Sequence, residues 1–251
     1  MNKEIKKFYS AFVSDYDDIT SFNERLISQR LIIEKLVEKY NIKEALDAGC
    51  GTGIYSILLA KSGVKVTAVD ISKDMVKKLN HNASKLNVKI NTIVSDLKNI
   101  DQYLKQKFDA IFCLGNTVPH ILKTSDLFRI YENFFRFLKP SGVLIVQQLN
   151  YDRILKERET IQNIKLANDK IYIRFYDYDK IFINFFMLVV DMKHSQRCLL
   201  EEVLLRPYLS KDHKKYLMEA GYRKIYFSSD LSMSQGYEKY RSKDLIIVAF
   251  R

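Results

Sequence analysis

The sequence predicts an α/β protein built on a doubly wound, seven-stranded, mostly parallel sheet, with an antiparallel β insertion after strand five. Two observations predict this class. Up to residue 150, short β-branched apolar runs alternate with segments of helical periodicity, which implies βαβ units and a parallel sheet. Beyond residue 150, strand-like runs follow one another with short polar connections and no helical segment between them, which is typical of antiparallel pairing.

The first half of the chain divides into a leading helix, five strands and the helices between them. Apolar spacing predicts the leading helix over 22–40. The expected strands are KEALDAG (43–49), VKVTAVD (64–70), VKINTIVSD (88–96), FDAIFCLG (108–115) and VLIVQQLN (143–150). The expected helices are 54–63, ending at Gly63, 72–86, with Ser72 as N-cap, and 125–142, stopped by Pro140 and Gly142.

The second half carries the insertion and the return to the core sheet. Strands are expected over 170–178, 180–190 and 197–205, then a helix over 210–221 and closing strands over 222–229 and 244–250. We therefore interpret 1–251 as a single domain with a core over 41–150, an insertion over 151–209 and a return over 210–251. The insertion is rich in Tyr and Phe, which suits either a substrate lid or a dimer surface.

Composition excludes several classes of protein. The cysteines Cys50, Cys113 and Cys198 form no CxxC pair, so neither a disulfide framework nor a metal site is expected. The N-terminal stretch lacks the apolar segment of a signal peptide, and the longest apolar run has ten residues, too short to span a bilayer. We expect a cytoplasmic protein with no membrane partner. The net charge of +11 keeps a nucleic-acid partner open, but the lysines alternate with acids along the chain.

A glycine loop and three aspartates mark the expected binding edge. Gly49, Gly51 and Gly53 follow the first strand at alternate positions, in a chain with only 8 glycines, so the backbone there must turn sharply or admit a ligand closely. Asp47 precedes them, and a carboxylate there would repel a pyrophosphate but suit a cationic amino group. At the end of the second strand, Asp70 can accept both hydroxyls of a ribose. Asp96 ends the third strand, where it can accept from an adenine amine, with Leu97 and Met75 as apolar cover.

An amino acid, a ribose and an adenine without phosphate describe S-adenosylmethionine. The runs LDAGCGTG, VTAVDIS and SDL resemble the cofactor motifs of the class I S-adenosylmethionine-dependent methyltransferases, over roughly 40–150. The resemblance implies a Rossmann-like fold, S-adenosyl-L-methionine as cofactor and S-adenosyl-L-homocysteine as product. The implied cofactor site comprises Tyr9, Asp47, Gly49, Cys50, Gly51, Gly53, Asp70, Ile71, Met75, Asp96, Leu97, Cys113 and Leu114.

Two further runs, FDAIFCLGNTVPHI and NYDRIL, are similar to glycine N-methyltransferases and their sarcosine-methylating relatives. That similarity implies in-line transfer to a nucleophile, expected to be an amine, of a small molecule. Asn116 is the expected group that orients the nucleophile, and His120 either accepts a proton or anchors the loop. The implied substrate residues are Tyr16, Asn116, Tyr151 and Arg153. One departure is Leu149, which stands where the glycine-specific enzymes carry a carboxylate-binding arginine.

Two alternatives stay open at this stage. A nucleic-acid methyltransferase would fit the basic charge, although GNTVPH replaces the (N/D)-P-P-(Y/F) run usual in amino-methylating enzymes of that class. A protein that binds S-adenosylmethionine without catalysis would show the same cofactor motifs. Neither the acceptor nor the choice among N-, O- and C-methylation follows from the sequence. The sequence also leaves open whether the chain forms a homodimer.

Overall fold

The computed structural model describes residues 2–193 and 198–251, and in them two sheets are flanked by helices. The α-helices are α1 Asn2–Ala11, α2 Tyr16–Ile19, α3 Phe22–Ser28, α4 Arg30–Lys39, α5 Ile54–Lys61, α6 Lys73–Lys85, α7 Thr124–Phe137, α8 Tyr151–Glu157 and α9 Ser210–Glu219. The strands are β1 Glu44–Ala48, β2 Lys65–Asp70, β3 Asn91–Val94, β4 Phe108–Cys113, β5 Leu138–Leu149, β6 Ile161–Ala167, β7 Lys170–Tyr178, β8 Ile183–Asp191, β9 Cys198–Leu205, β10 Lys224–Ser228 and β11 Asp244–Phe250.

The larger sheet confirms the predicted fold class. Its seven strands lie in the order β10-β11-β5-β4-β1-β2-β3. Strands β1 to β5 pair in parallel, whereas β11 runs antiparallel to both of its neighbours. The chain reverses its winding direction beside β1, so the carboxyl ends of β1, β2 and β4 open onto a crevice where α/β proteins bind ligands.

The smaller sheet confirms the antiparallel insertion. Its strands pair antiparallel in the order β6-β7-β8-β9. One face packs on the N-terminal segment, where Phe8 of α1 and Phe12, which follows this helix, form a buried cluster with Tyr172 and Met187 of the sheet. The N-terminal segment therefore joins the insertion to the core, because Ser10 of α1 also donates a hydrogen bond to Asp74 of α6 at 2.6 Å.

Two predicted helices end in the wrong place. The expected helix 22–40 is divided at Gln29 into α3 and α4, which bury different side chains, Phe22 in the first and Ile33 in the second. The expected stop of α7 by Pro140 and Gly142 is also wrong, because the helix ends at Phe137 and Leu138 already has an extended backbone.

Strand β5 runs through the proline, which lies where the register with β4 shifts. Lys139 precedes the proline, and a residue in that position disfavours helical backbone angles. Because the register shifts here, the strand pairing does not require a hydrogen bond from residue 140, where proline has no N–H. The strand signal of 143–150 therefore begins five residues too late.

The sequence reading of the insertion missed two elements. Helix α8 begins directly after β5, with the Asn150 side chain accepting a hydrogen bond from the Arg153 N–H at 3.3 Å. Strand β6 then precedes the three expected strands. Of the expected strand 197–205, residue 197 lies outside the described residues, and β9 begins at Cys198. None of the helices in residues 2–193 and 198–251 has the length and hydropathy of a membrane-spanning segment.

Candidate cofactor and acceptor site

A cavity of about 880 Å³ lies at the carboxyl ends of the parallel strands. Its floor is formed by the glycine loop and the strand ends of the larger sheet. The N-terminal helices and the packed face of the smaller sheet supply the remaining walls. A cavity of this size accommodates a nucleoside-sized ligand together with a small second molecule.

The glycine loop has a backbone that side chains would disfavour. Gly49, Gly51 and Gly53 all have positive φ angles, of 83°, 52° and 96°. A Cβ atom at Gly49 would lie 2.5 Å from the Thr117 side chain, and one at Gly53 would lie 2.6 Å from Leu79. At Gly51 the nearest atom would be 3.7 Å away. The first and third glycines are therefore required by packing, whereas a Cβ at Gly51 would make only an ordinary van der Waals contact with Tyr16.

Asp47 is a buried carboxylate at the end of β1. It is 2% exposed and accepts a hydrogen bond of 2.5 Å from the Ser56 hydroxyl on α5. Burial raises its pKa to about 6, although the Ser56 hydrogen bond opposes the rise. A carboxylate that burial destabilises in this way favours a cationic partner, such as an amino group of a ligand.

Asp70, at the end of β2, fixes the glycine loop as well as facing the cavity. Its two carboxylate oxygens accept from the N–H groups of Gly51 at 2.9 Å and Ser72 at 2.8 Å. Burial raises its pKa, and these backbone hydrogen bonds limit the rise. Each oxygen keeps a second lone pair, so the carboxylate can also accept ribose hydroxyls.

Asp96 follows β3 at the third expected position. Its side chain caps the 3₁₀ turn 97–102 by accepting from the Lys98 N–H at 3.1 Å, and it also lines the cavity. Ile71, Met75 and Leu97 line the same part of the cavity. This wall combines two carboxylates with apolar side chains, so the residues present fit an adenosine group.

We call the part of the cavity that the Tyr9 and Tyr16 rings enclose its aromatic end, and there Tyr16 lies beside Gly51 of the glycine loop. The Tyr9 hydroxyl and the His120 Nε2 atom lie 2.7 Å apart, and the Tyr9 ring packs edge-on against Tyr16. Burial lowers the pKa of His120 to about 4, so its imidazole is neutral at pH 7. The other ring nitrogen, Nδ1, is buried and has no hydrogen-bond partner in the described residues.

Asn116 connects the loop after β4 to the end of β5. Its backbone is left-handed, with a φ of 67°, a conformation that Asn tolerates better than most residues. The side-chain Oδ1 accepts from the Leu149 N–H at 3.0 Å, and Nδ2 donates to the Tyr151 hydroxyl at 3.0 Å. Tyr151 also packs in a buried cluster with Tyr176 of β7, which lines the cavity. Asn116 thus links the loop after β4 to the end of β5 and to the start of α8.

The structure brings most of the predicted site residues to one cavity. Those that line it are Tyr9, Tyr16, Asp47, Gly49, Cys50, Gly51, Gly53, Asp70, Ile71, Met75, Asp96, Leu97, Leu114, Asn116, His120 and Arg153. Cys113 and Tyr151 are fully buried and lie behind the wall, next to lining residues. Arg153 pairs with Glu157 at 3.5 Å, and its Nε atom has no partner in the described residues.

Sequence reasoning missed Arg174. This residue of β7 lines the cavity and donates one hydrogen bond, of 3.0 Å, to the Ile19 carbonyl. Its positive charge acts on the Tyr9 and Tyr16 hydroxyls, which places it at the aromatic end of the cavity. The only local signal was an arginine in the middle of the apolar and aromatic run 171–176.

Comparison with known proteins agrees with this geometry. Residues 45–142 match the family model described as "Methyltransferase domain". Glycine/sarcosine N-methyltransferase of Aphanothece halophytica is 33% identical over 151 residues, 60% of this chain and 57% of that protein. The corresponding enzyme of Halorhodospira halochloris is 31% identical over 150 residues, 60% of this chain and 56% of that protein. The chain thus spans a little over half the length of these relatives.

Solved structures extend the likeness to nearly the whole chain. A S-adenosylmethionine-dependent methyltransferase from Clostridium acetobutylicum superposes with a TM-score of 0.80 at 19% identity, covering 96% of this chain and 98% of the other. The amino pentose methyltransferase CalS10 from Micromonospora echinaspora gives a TM-score of 0.74 at 16% identity, covering 94% and 96%. Residues 45–142 are therefore similar to a methyltransferase domain, and the chain shares the fold of solved S-adenosylmethionine-dependent methyltransferases.

Proposed function

We propose that this chain transfers the methyl group of S-adenosylmethionine to an amine nitrogen of a small molecule. One observation carries the proposal: a single cavity joins a carboxylate-lined end, with Asp47 and Asp70, to an aromatic end that contains His120. The names of two similar proteins, a glycine/sarcosine N-methyltransferase and an amino pentose methyltransferase, support an amine acceptor. When bound, the cofactor supplies a methyl group already activated on a sulfonium.

The chain's own contribution is positioning and exclusion of water. Holding two reactants in line within a closed site accelerates transfer, because the entropy of alignment is lost on binding and not in the reaction. Tyr9 and Tyr16 enclose the aromatic end from the N-terminal side, and Tyr176 does so from the insertion. The insertion thus supplies one wall of the site, which supports its interpretation as a substrate lid.

Of the two roles expected for His120, the geometry favours anchoring. A histidine with a pKa of about 4 is a poor acceptor for the proton of an ammonium group. Its 2.7 Å hydrogen bond to Tyr9 instead connects helix α1 to the loop after β4. We infer that the amine binds in its neutral form and that His120 keeps the N-terminal wall closed over it.

Arg174 supports an acceptor that carries an anionic group. A guanidinium has five N–H donors, and the described residues accept a hydrogen bond from Arg174 only at Ile19. No carboxylate of the described residues forms an ion pair with this half-buried guanidinium, so most of its N–H donors are available to an anionic ligand. A carboxylate or phosphate on the acceptor would be such a ligand. Arg174 would then bind the anionic group, as the arginine of the glycine-specific enzymes does at the position where this chain has Leu149.

A screen of matched amine pairs tests the proposal. Amino acids and aminoalkyl phosphates would be compared with their amide and alcohol analogues, with release of S-adenosylhomocysteine as the readout. We expect the enzyme to methylate the anionic amines faster than their neutral analogues, and Arg174→Gln to abolish this preference. Lys165 also lines the cavity, and the control variant Lys165→Gln should retain the preference. Turnover on RNA or DNA fragments alone would refute a small-molecule acceptor, and equal turnover of both members of each pair would refute the role of Arg174.

The proposed compartment is the cytoplasm. All three cysteines are free thiols in the structure, two of them buried and Cys198 exposed. A reducing compartment suits such thiols. Fractionation of the cells that produce the chain, followed by immunodetection, checks this placement, and recovery in an oxidising compartment would contradict it.

A further inference from the structure

A part of the cavity beside strand β11 is polar. Gln147 and Leu149 of β5 and Asp244 of β11 all line it, and we call this part the β11 end of the cavity. Asp244 lies directly opposite Leu149 in the antiparallel ladder, and residues paired in this way point to the same face of a sheet. A carboxylate therefore faces the cavity at the edge where β5 and β11 meet.

One oxygen of the Asp244 carboxylate is engaged and the other is available. Oδ1 accepts a hydrogen bond of 2.9 Å from Gln147 Nε2. Among residues 2–193 and 198–251, no group donates a hydrogen bond to Oδ2, and the side chain is only partly buried. An ionised carboxylate oxygen is an acceptor only, so Oδ2 can receive an N–H group from a ligand.

Gln147 connects this carboxylate to the predicted cofactor site. Its Oε1 atom accepts from the Gly115 N–H at 2.6 Å, and Gly115 directly follows Leu114, which lines the cavity. Because a backbone N–H can only donate, the amide oxygen must face Gly115 and the amide nitrogen must face Asp244. Asp244 is thus two hydrogen bonds away from the backbone of the cofactor site, and its orientation is fixed.

The charges around Asp244 favour a neutral amine as its ligand. Arg25, Arg153 and Lys243 line the cavity, and their charges act on this carboxylate. Burial raises the pKa of Asp244, and the three cations oppose the rise. No cation in the part of the chain that the structure describes forms an ion pair with it, and Arg25 donates instead to the Tyr55 hydroxyl at 2.8 Å. Three nearby cations disfavour a fourth, so an amine that enters here is held in its neutral form.

We propose that Asp244 binds the amine nitrogen of the acceptor, with Oδ2 accepting a hydrogen bond from its N–H. This inference rests on the proposed function, and it assigns the group that receives the amine. The nitrogen lone pair stays free to form the N–CH3 bond, while the S–CH3 bond breaks and its electron pair remains on sulfur. The positive charge thereby passes to the nitrogen beside Asp244, and the carboxylate stabilises that charge more as it develops than it stabilises the neutral amine. No proton has to move during the step, and the product leaves as an ammonium ion.

Binding of a small neutral amine tests the inference without turnover. The probe is 2,2,2-trifluoroethylamine, whose fluorine atoms keep the amine neutral at pH 7 and report its binding to the S-adenosylhomocysteine complex by fluorine NMR. Asp244→Asn keeps an oxygen for Gln147 but replaces the available acceptor by an NH2 donor. We expect this variant to bind the probe about tenfold more weakly or worse, with an affinity for S-adenosylhomocysteine within about threefold of wild type.

The matched control is Glu238→Gln. It removes the same charge from an exposed side chain that pairs only with the exposed Arg241, and it should bind the probe as the wild type does. If Asp244→Asn loses its fold, Leu149→Arg replaces it, because a guanidinium opposite Asp244 would pair with Oδ2 and exclude the amine. Its control is Leu31→Arg, at a 66% exposed leucine of α4.

Each result has a defined meaning. Weaker probe binding in the folded Asp244 or Leu149 variant, with wild-type binding in its control, supports the inference. A wild type that does not bind the probe, a folded variant that keeps the wild-type affinity, or an equal loss in the control overturns it. Methyl transfer to the amines of the screen is measured separately. If none is methylated although probe binding depends on Asp244, the proposed function fails and the amine site stands, whereas equal turnover by Asp244→Asn and wild type overturns the inference alone.

Discussion

The buried carboxylate of Asp47 should make cofactor affinity depend on pH. Burial raises the pKa of Asp47 in the free protein to about 6. A cationic amino group placed beside it would lower that pKa in the complex. Binding therefore favours the ionised form, and the affinity for S-adenosylhomocysteine should increase as the pH rises from 5 to 7.

The magnitude follows from the fraction of Asp47 that is ionised. With a pKa of about 6, about nine-tenths is ionised at pH 7 and about one-tenth at pH 5, so affinity should fall about tenfold between them. Asp47→Asn keeps an oxygen for the Ser56 hydroxyl but loses the charge. We expect it to bind about tenfold more weakly at pH 7 and to lose most of this pH dependence. A smaller slope of the same sign will remain, because the pKa of Asp70 is also raised.

The ionisation of Asp47 should lower the stability of the ligand-free fold as the pH rises, although it raises the affinity for the cofactor. The pKa of Asp47 is higher in the folded protein than in the unfolded chain, so its stabilising contribution is present below about pH 4 and is lost as the pH rises through 6. A shift of about two units corresponds to roughly 3 kcal/mol as an upper limit. The ligand-free Asp47→Asn variant should therefore have a higher free energy of unfolding than the wild type at pH 7.

Calorimetry with S-adenosylhomocysteine at pH 5, 6 and 7 measures the effect. Two buffers of different ionisation enthalpy would report the proton released on binding. Asp179→Asn, at an exposed carboxylate of the insertion, is the control and should behave as the wild type. A wild-type affinity that is flat between pH 5 and 7, or an Asp47→Asn variant with the full wild-type slope, would refute the assigned role.

Three further substitutions separate positioning from packing. If His120 anchors Tyr9, His120→Gln should keep turnover within about threefold of wild type and His120→Ala should lose about tenfold or more, in initial-rate assays. Asn116→Ala should lower kcat about 100-fold while calorimetric affinity for S-adenosylhomocysteine changes less than about threefold, because the reacting groups lose their alignment. Gly49→Ala should lower Tm by about 5 °C in thermal unfolding, since the new Cβ meets Thr117 at a positive φ.

The outcomes that would contradict these expectations differ. Equal losses for both His120 variants would indicate that the imidazole takes part in proton transfer. For Asn116→Ala, equal losses of turnover and affinity would contradict a positioning role. A Gly49→Ala variant as stable as the wild type would show that the loop can change its backbone without cost.

Much of the fold and of the cofactor end could be predicted from the sequence. Strand and helix periodicities are local, and parallel strands bring their carboxyl ends to one edge wherever the chain later goes. Asp47, Asp70 and Asp96 were therefore predicted to lie together from their positions at strand ends. The glycine loop was found for the same reason, since positive φ angles limit residue choice locally.

Other features depend on contacts between distant parts of the chain, which local patterns do not encode. The proline at 140 is a helix-stopping signal by itself, but pairing with β4 makes it part of a strand. Tyr9 and His120 are 111 positions apart, and the packing of α1 on both the insertion and α6 brings them to 2.7 Å. In β7, alternation shows that Arg174 and Phe175 face opposite sides, but not which side is the cavity. Tertiary packing decided that, because it placed one face of the insertion over the sheet edge and left the other exposed.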